Sequence, residues 1–306
     1  MLRFDREFHQ SDFDKFKLCP RMFYYREVLR VESERTSEIA LAGSAMHAII
    51  AKAHTDKLWE AEQLFVLFTE EFERQVNEHL CQGIEVRRGT IDLEDYRQML
   101  RGYVAQPWNR EAEVLLSERE FFFEITPNAT RYQFAGRIDQ IVRVAAKLLA
   151  ADFPAVLNLS KPDVIIHRDL KTGQRKNVGP FELLLNDQLS IYAYALKYGN
   201  FDLGGDGIPE THLDLIPDFH ALYFLHDHIP YKRPPKGKEG LSRGPGMYFT
   251  QRPFERLALI PKELMLTCAS IRRGDFPREG ATRGICEKYC SVRYHCEADL
   301  LQEIRP

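Results

Sequence analysis

The sequence DVIIHRDLKTG, residues 163–173, decides the fold. Its β-branched residues predict a strand over Asp163–Lys171, and the Thr-Gly pair that follows predicts a turn. Residues two apart on a strand share a face, so Asp169 and Lys171 project the same way at the end of this strand. A second predicted strand, YQFAGRIDQIVRV at residues 132–144, carries Asp139. If the two strands are neighbours, two carboxylates and one ammonium group converge.

This convergence would suit a divalent metal ion. Two carboxylates held close together repel each other, and a cation between them removes that cost. Oxygen ligands of this kind favour Mg²⁺ or Mn²⁺, which activate water and stabilise the charge that develops on a phosphate. Lys171 would orient the water or neutralise the transition state. Taken alone, an Asp-x-Lys pattern near a strand end is more often a surface ion pair.

The apolar pattern elsewhere changes from helical to strand-like along the chain. Spacings of three and four residues predict helices over the first third, and alternation predicts a hairpin followed by further strands. The predicted helices are 37–54, 59–80, 93–104 and 183–198, the additional strands are 118–125 and 219–226, and 145–162 is expected to be an inserted loop. These elements indicate a mixed α/β core with a helical elaboration.

Composition excludes several classes of protein. The 306 residues are 44% hydrophobic and 28% charged with a net charge of −3, which argues against a disordered chain or a uniformly basic coat protein. No apolar run is long enough to cross a bilayer, and the first residues lack the apolar region of a signal peptide. We therefore expect a cytoplasmic protein with no membrane partner. The basic segment Pro230–Pro253 is either a solvated loop or a phosphate contact.

Several short motifs resemble one nuclease family in their order along the chain. The chain resembles the RecB-type branch of the PD-(D/E)XK nucleases, which includes the nuclease domains of RecB and AddB and the CRISPR-adaptation exonucleases. The motifs that carry the resemblance are SDFDKFKLCPRMFYY (11–25), GSAMH (43–47), GRID (136–139), DLKTG (169–173) and QLSIYAY (188–194).

The resemblance implies a fold and a domain division. The expected architecture is α/β, with a restriction-endonuclease-like mixed sheet flanked by helices, an N-terminal helical subdomain and a C-terminal cysteine-ligated cap. The corresponding segments are an N-terminal helical part containing Cys19 and His47 (1–115), the nuclease core (116–260) and a C-terminal metal-cluster segment that closes back on Cys19 (261–306).

The same resemblance implies roles for individual residues. The metal ligands would be His47, Asp139, Asp169 and the backbone carbonyl of Leu170, and Lys171 would be the catalytic lysine. Gln188 and Tyr192 would line the site and contact the nucleic-acid backbone. The family often carries a glutamate on the strand before GRID, and both Glu118 and Glu120 fit that position.

The six cysteines divide into two groups. Cys286, Cys290 and Cys296 lie close together in the sequence, whereas Cys81 and Cys268 lie in apolar helical patterns typical of buried free cysteine. The triplet resembles the C-terminal motif of the iron–sulfur members of the family, in which Cys19 would supply the fourth thiolate. Four thiolates would hold a [4Fe–4S] cluster or, alternatively, a structural Zn²⁺. Three residues separate Cys286 from Cys290, one more than is usual in that family.

The function indicated is that of a metal-dependent deoxyribonuclease. The reaction class follows from the carboxylates, the lysine and the histidine, whereas exonuclease action on single-stranded DNA or DNA ends is implied by the resemblance. The alternative is a catalytically silent DNA-binding or scaffold subunit of a DNA-repair or antiviral defence complex. The sequence has no phosphate-binding loop of the Walker type, so a helicase or other repair or defence subunit would act in trans.

Overall fold

The structure is a computed structural model that describes residues 6–33, 35–87, 89, 91–126, 130–173, 179–184, 186–202, 211–230, 246–252, 254–274, 276–278, 286 and 290–304. The strands are β1 (Phe8–His9), β2 (Arg35–Ser37), β3 (Glu85–Arg87), β4 (Glu113–Ile125), β5 (Tyr132–Ala145), β6 (Asp163–Lys171), β7 (Asn200–Phe201), β8 (Thr211–His212), β9 (Phe219–Phe224) and β10 (Met247–Thr250). The α-helices are α1 (Gln10–Leu18), α2 (Pro20–Phe23), α3 (Glu38–Asp56), α4 (Ala61–Cys81), α5 (Leu93–Ala105), α6 (Pro107–Arg110), α7 (Ala146–Leu149), α8 (Pro180–Leu184), α9 (Asp187–Tyr198), α10 (Phe254–Arg273) and α11 (Arg293–Ile304).

Among the described residues, the central mixed sheet has eight strands: seven lie in the order β10-β9-β6-β5-β4-β7-β8, and β1 pairs with β5. The long strands β4 and β5 form an antiparallel hairpin, β6 pairs antiparallel with β5, and β9 pairs parallel with β6. The short β1 lies parallel to β5 at the end that β6 does not reach. The mixed α/β sheet expected from the sequence is confirmed.

Helices cover the sheet as two separate groups. Adjacent residues of a strand point to opposite faces, and Val142 and Ile141 on β5 accordingly belong to different groups of buried apolar side chains. The group with Val142 joins β5, β6 and β9 to α3, α4 and α5. The group with Ile141 joins β4 and β5 to α1, α9 and α10. The sheet is therefore enclosed between two helical layers.

Side-chain caps fix where two of the helices begin. Ser37 Oγ accepts a hydrogen bond from the N–H of Ala40 at 3.2 Å at the start of α3. Asn186 Oδ1 accepts from the N–H of Leu189 at 2.8 Å at the start of α9. The helix predicted from residue 183 therefore begins at Asp187 instead, because the cap at Asn186 separates it from α8.

The structure corrects two further expectations from the sequence. Residues 145–162 are not a bare loop, because α7 and a 3₁₀ turn over Pro154–Leu159 bury the side chains of Leu149 and Val156. Cys81 is exposed at the end of α4, whereas Cys268 is buried as expected.

Some expectations concern parts of the chain that the structure covers only partly. Most of the basic segment, residues 231–245 and 253, lies outside the described residues; within it, Arg252 is buried. Among the described residues, no helix is both long enough and apolar enough to span a bilayer. The three-part division of the chain stays a prediction, and β4 and α10 extend across its expected boundaries.

Candidate metal centre and nuclease site

Three carboxylates form one row across neighbouring strands. Ser117 pairs with Gln140 and Arg119 with Ile138, so Glu118 lies opposite Asp139. On the other side of β5, Gln140 pairs with Arg168 on β6. Asp139 and Asp169 occupy the next positions on these two antiparallel strands. Residues opposite each other on adjacent strands lie close together on one face. The topology therefore assembles an acidic row on β4, β5 and β6.

The sheet opens at this row. The paired positions of β5 and β6 end at Gln140 and Arg168, and beyond them Asp139 Oδ2 accepts a hydrogen bond from the N–H of Leu170 at 2.8 Å. Glu118 has a φ of 50°, in the left-handed region that residues other than glycine rarely adopt. Such a conformation costs about 1–3 kcal/mol and is typical of functional sites.

The structure distinguishes between the two candidate glutamates. Glu118 lies at the opening of the sheet, whereas Glu120 is an exposed residue opposite Arg137. The alternation that predicts the strand could not make this choice, because both residues have the same parity. The choice depends on the pairing of β4 with β5.

His47 completes a cluster of ligand atoms. It lies on α3, and its Nδ1 is 3.5 Å from Asp139 Oδ2 and 3.6 Å from Glu118 Oε1. One ligand atom from each of the three residues lies within 4.8 Å of the others. Gly43 on the same helix lies close to the turn that follows β6. A Cβ at this position would lie 3.1 Å from Thr172 Oγ1, so glycine helps α3 to lie close to the end of β6.

Asp169 provides the test of whether a metal ion fits. Its side chain is buried, and Oδ1 has no hydrogen-bond partner among the described residues. The Nζ of Lys171 lies 2.7 Å from Oδ2, close enough for an ion pair. A buried carboxylate with unused lone pairs beside other acidic groups suits a cation with oxygen ligands. The residues present therefore fit Mg²⁺ or Mn²⁺.

Lys171 is held by a chain of hydrogen bonds from α9. Its Nζ donates to Gln188 Oε1 at 2.8 Å, and Gln188 Nε2 donates to the hydroxyl of Tyr192 at 3.0 Å. The Tyr192 ring is buried and packs edge-on against Phe121 and His167. Tyr192 thus contributes to the hydrophobic core, and its hydroxyl supports Gln188.

The negative charge of the cluster changes the protonation of its members. Burial, together with the charges of Asp169 and Glu118, raises the pKa of Asp139 to about 7. Burial lowers the pKa of His47, but Glu118 and Asp139 outweigh it, so this pKa is raised. Burial likewise opposes the charge on Lys171, but Asp169 raises its pKa overall. Lys171 is thus a cation at neutral pH.

The four expected cysteines come together around one cavity. Cys19, Cys286, Cys290 and Cys296 line one cavity of about 210 Å³. Burial, assisted by neighbouring thiols, raises the pKa of Cys290 to about 11. Arg35 holds the segment in place, because its guanidinium donates to the carbonyl oxygens of Cys290 at 2.8 Å and Cys286 at 3.1 Å.

The family of the chain follows from a comparison with known proteins. The model of the PD-(D/E)XK nuclease superfamily matches residues 7–153 and 157–297. The chain therefore belongs to the PD-(D/E)XK nuclease superfamily of metal-dependent nucleases, and its mixed sheet flanked by helices is consistent with the fold of that superfamily. Its structure is similar to one titled "Crystal structure of SSO0001", with 16% identity over 93% of this chain and 96% of that chain and a TM-score of 0.33. No curated protein matches the chain.

Proposed function

We propose that the protein is a Mg²⁺- or Mn²⁺-dependent deoxyribonuclease of the RecB and AddB type, acting as an exonuclease on single-stranded DNA or DNA ends. The observation that carries this proposal is the acidic row of Glu118, Asp139 and Asp169 beside the cationic Lys171. The substrate and the preference for ends rest on the family resemblance. The protein would work in the cytoplasm, with a helicase or other repair or defence subunit supplied in trans.

The proposed ligands are His47, Glu118, Asp139, Asp169 and the backbone carbonyl of Leu170. A divalent ion bound there would supply an activated water and would neutralise charge on the phosphate. The hydrogen bond from the Leu170 N–H orients Asp139, and the position of His47 on α3 brings a neutral nitrogen ligand to the same place.

Lys171 would act directly on the reacting groups. Its side chain is one-third exposed, so it faces both the buried Asp169 and the open site. A fixed ammonium group there would orient the attacking water or stabilise the charge that develops on the phosphate. Gln188 would position Lys171, and Tyr192 would in turn position Gln188.

The four cysteines would hold a [4Fe–4S] cluster, with structural Zn²⁺ as the alternative. The four cysteines line one cavity of about 210 Å³, and the resemblance to the iron–sulfur members of the family favours the cluster. Iron and zinc analysis of protein purified without oxygen distinguishes the two.

The test uses end-labelled linear DNA and circular single-stranded DNA with Mn²⁺. We expect the wild type to degrade linear DNA and spare the circle, and Asp139→Ala to abolish cleavage. Asp163→Ala is the matched control, because Asp163 is an exposed aspartate at the opposite end of β6. Cleavage of the circular DNA would show that the protein is an endonuclease and not an exonuclease. A folded wild type that binds DNA without cutting it would favour the scaffold subunit.

A further inference from the structure

Arg137 stands at the rim of the acidic row. It lies on β5 two residues before Asp139, and residues two apart on a strand share a face. Its side chain is 62% exposed, whereas Lys171 is one-third exposed and bonded to Asp169 and Gln188. Arg137 is thus the more accessible of these two cations beside the proposed metal ligands.

The contact that holds Arg137 involves one of those ligands. Its Nε lies 3.0 Å from Oε2 of Glu118, while Oε1 of the same carboxylate faces Nδ1 of His47 at 3.6 Å. The guanidinium and the ligand cluster therefore share one carboxylate. The guanidinium of this ion pair is exposed and exchanges readily with solvent, so a divalent cation on the carboxylate would displace it.

We propose that Arg137 binds a phosphate of the substrate strand next to the acidic row. We further propose that the ion pair with Glu118 prevents this contact until a cation binds to the Glu118 carboxylate. The planar guanidinium suits the proposal, because it presents paired donors that match phosphate oxygens. The inference rests on the proposed function and deepens it. It adds a substrate-binding residue and makes tight DNA binding dependent on prior metal binding.

The same pair of strands contains a natural control. Arg143 on β5 lies opposite Glu113 on β4 and bonds to it at 2.6 Å, and both side chains are exposed. This pair has the same charges and also joins β5 to β4, but Arg143 lies directly opposite Glu113, whereas Arg137 lies opposite Glu120 and contacts Glu118 diagonally. It lies away from the acidic row, towards the far end of β5, and should not bind the strand.

The test measures DNA binding without metal, by fluorescence anisotropy of a labelled single-stranded oligonucleotide in chelator. Glu118→Gln removes the charge that holds Arg137, so we expect affinity to rise about three- to tenfold over the wild type. In an Arg137→Gln background the same change should have no such effect. The logarithm of the DNA-binding constant falls linearly with the logarithm of the salt concentration. For Glu118→Gln this slope should be steeper by about 0.7 than for the double variant, as expected for one added phosphate contact.

The control cycle with Glu113→Gln and Arg143→Gln should show no coupling. Equal gains from Glu118→Gln with and without Arg137, or equal coupling in both cycles, would overturn the proposal, because either result is a general charge effect. Arg137→Lys keeps the positive charge but loses the paired donors of the guanidinium. It should therefore retain only part of the gain in DNA affinity. Cleavage by the wild type without coupling refutes only the role of Arg137. A folded wild type that neither binds nor cuts DNA refutes the proposed function as well.

Discussion

Asp139 couples metal binding to pH. Its pKa of about 7 lies above the unfolded value of 3.8, chiefly because of burial and the charge of Asp169. The raised pKa stabilises the metal-free fold fully below about 3.8, and this contribution is lost as the pH rises through about 7. A metal ion must displace the same proton, so its affinity should fall about tenfold for each pH unit below 7.

Titration of the protein with Mn²⁺ at about pH 6 and about pH 8 checks this expectation. The raised pKa of His47 acts in the same direction, because a protonated imidazole cannot bind a metal ion. Asp139→Asn is the control for stability: it has no proton to lose, so its melting temperature without metal should vary less with pH. An Mn²⁺ affinity that is constant across this range would contradict the assignment of Asp139 as a ligand.

At the scale of the element, the hairpin of β4 and β5 requires glycine at position 136. A Cβ at Gly136 would lie 2.5 Å from Cζ of Phe121, the residue opposite it on β4. The Phe121 ring is buried, so it cannot move aside into solvent. We expect Gly136→Ala to destabilise the fold by about 1–3 kcal/mol and to lower the melting temperature.

Gly173→Ala is the matched control, because a Cβ there meets no atom of the described residues within 4 Å. Phe121→Leu in the Gly136→Ala background should recover part of the loss, since the smaller side chain makes room for the methyl group. An unchanged melting temperature for Gly136→Ala alone would show that the hairpin tolerates the contact, and the glycine of this motif would then need another explanation.

The elements of the hairpin also show what a sequence can predict. Alternation and β-branched residues predict β5 and β6, and their spacing places Asp169 and Lys171 on one face, as the structure shows. The place of Glu118 depends on strand register and on a left-handed backbone at that residue. The local sequence pattern predicts neither the register nor this backbone conformation, because both result from contacts between distant parts of the chain.

At the scale of the whole molecule, the proposed cluster joins the two ends of the chain. Cys19 and Cys290 are about 270 residues apart in sequence, yet both line one cavity. Hydrogen bonds already connect the same regions, since Arg21 donates to the carbonyl oxygens of Phe276 and Pro277 and the Tyr25 hydroxyl donates to Asp299. A cross-link that closes so long a loop stabilises the fold by at most about 5–6 kcal/mol in the entropic model.

Cys290→Ala should therefore lower the melting temperature and expose the C-terminal segment to proteolysis before the sheet. Mn²⁺ binding at the acidic row should persist, because its proposed ligands belong to α3, β4, β5 and β6, and among the described residues their apolar cores do not include these four cysteines. Cys81→Ser is the control, as Cys81 is exposed at the end of α4. In the wild type, removal of the metal held by the cysteines should reproduce the effect of Cys290→Ala.

If Cys290→Ala changes neither the melting temperature nor proteolysis, the cysteines do not hold the chain ends together. If it abolishes Mn²⁺ binding while the sheet remains folded, the cysteine cavity and the acidic row form one cooperative unit.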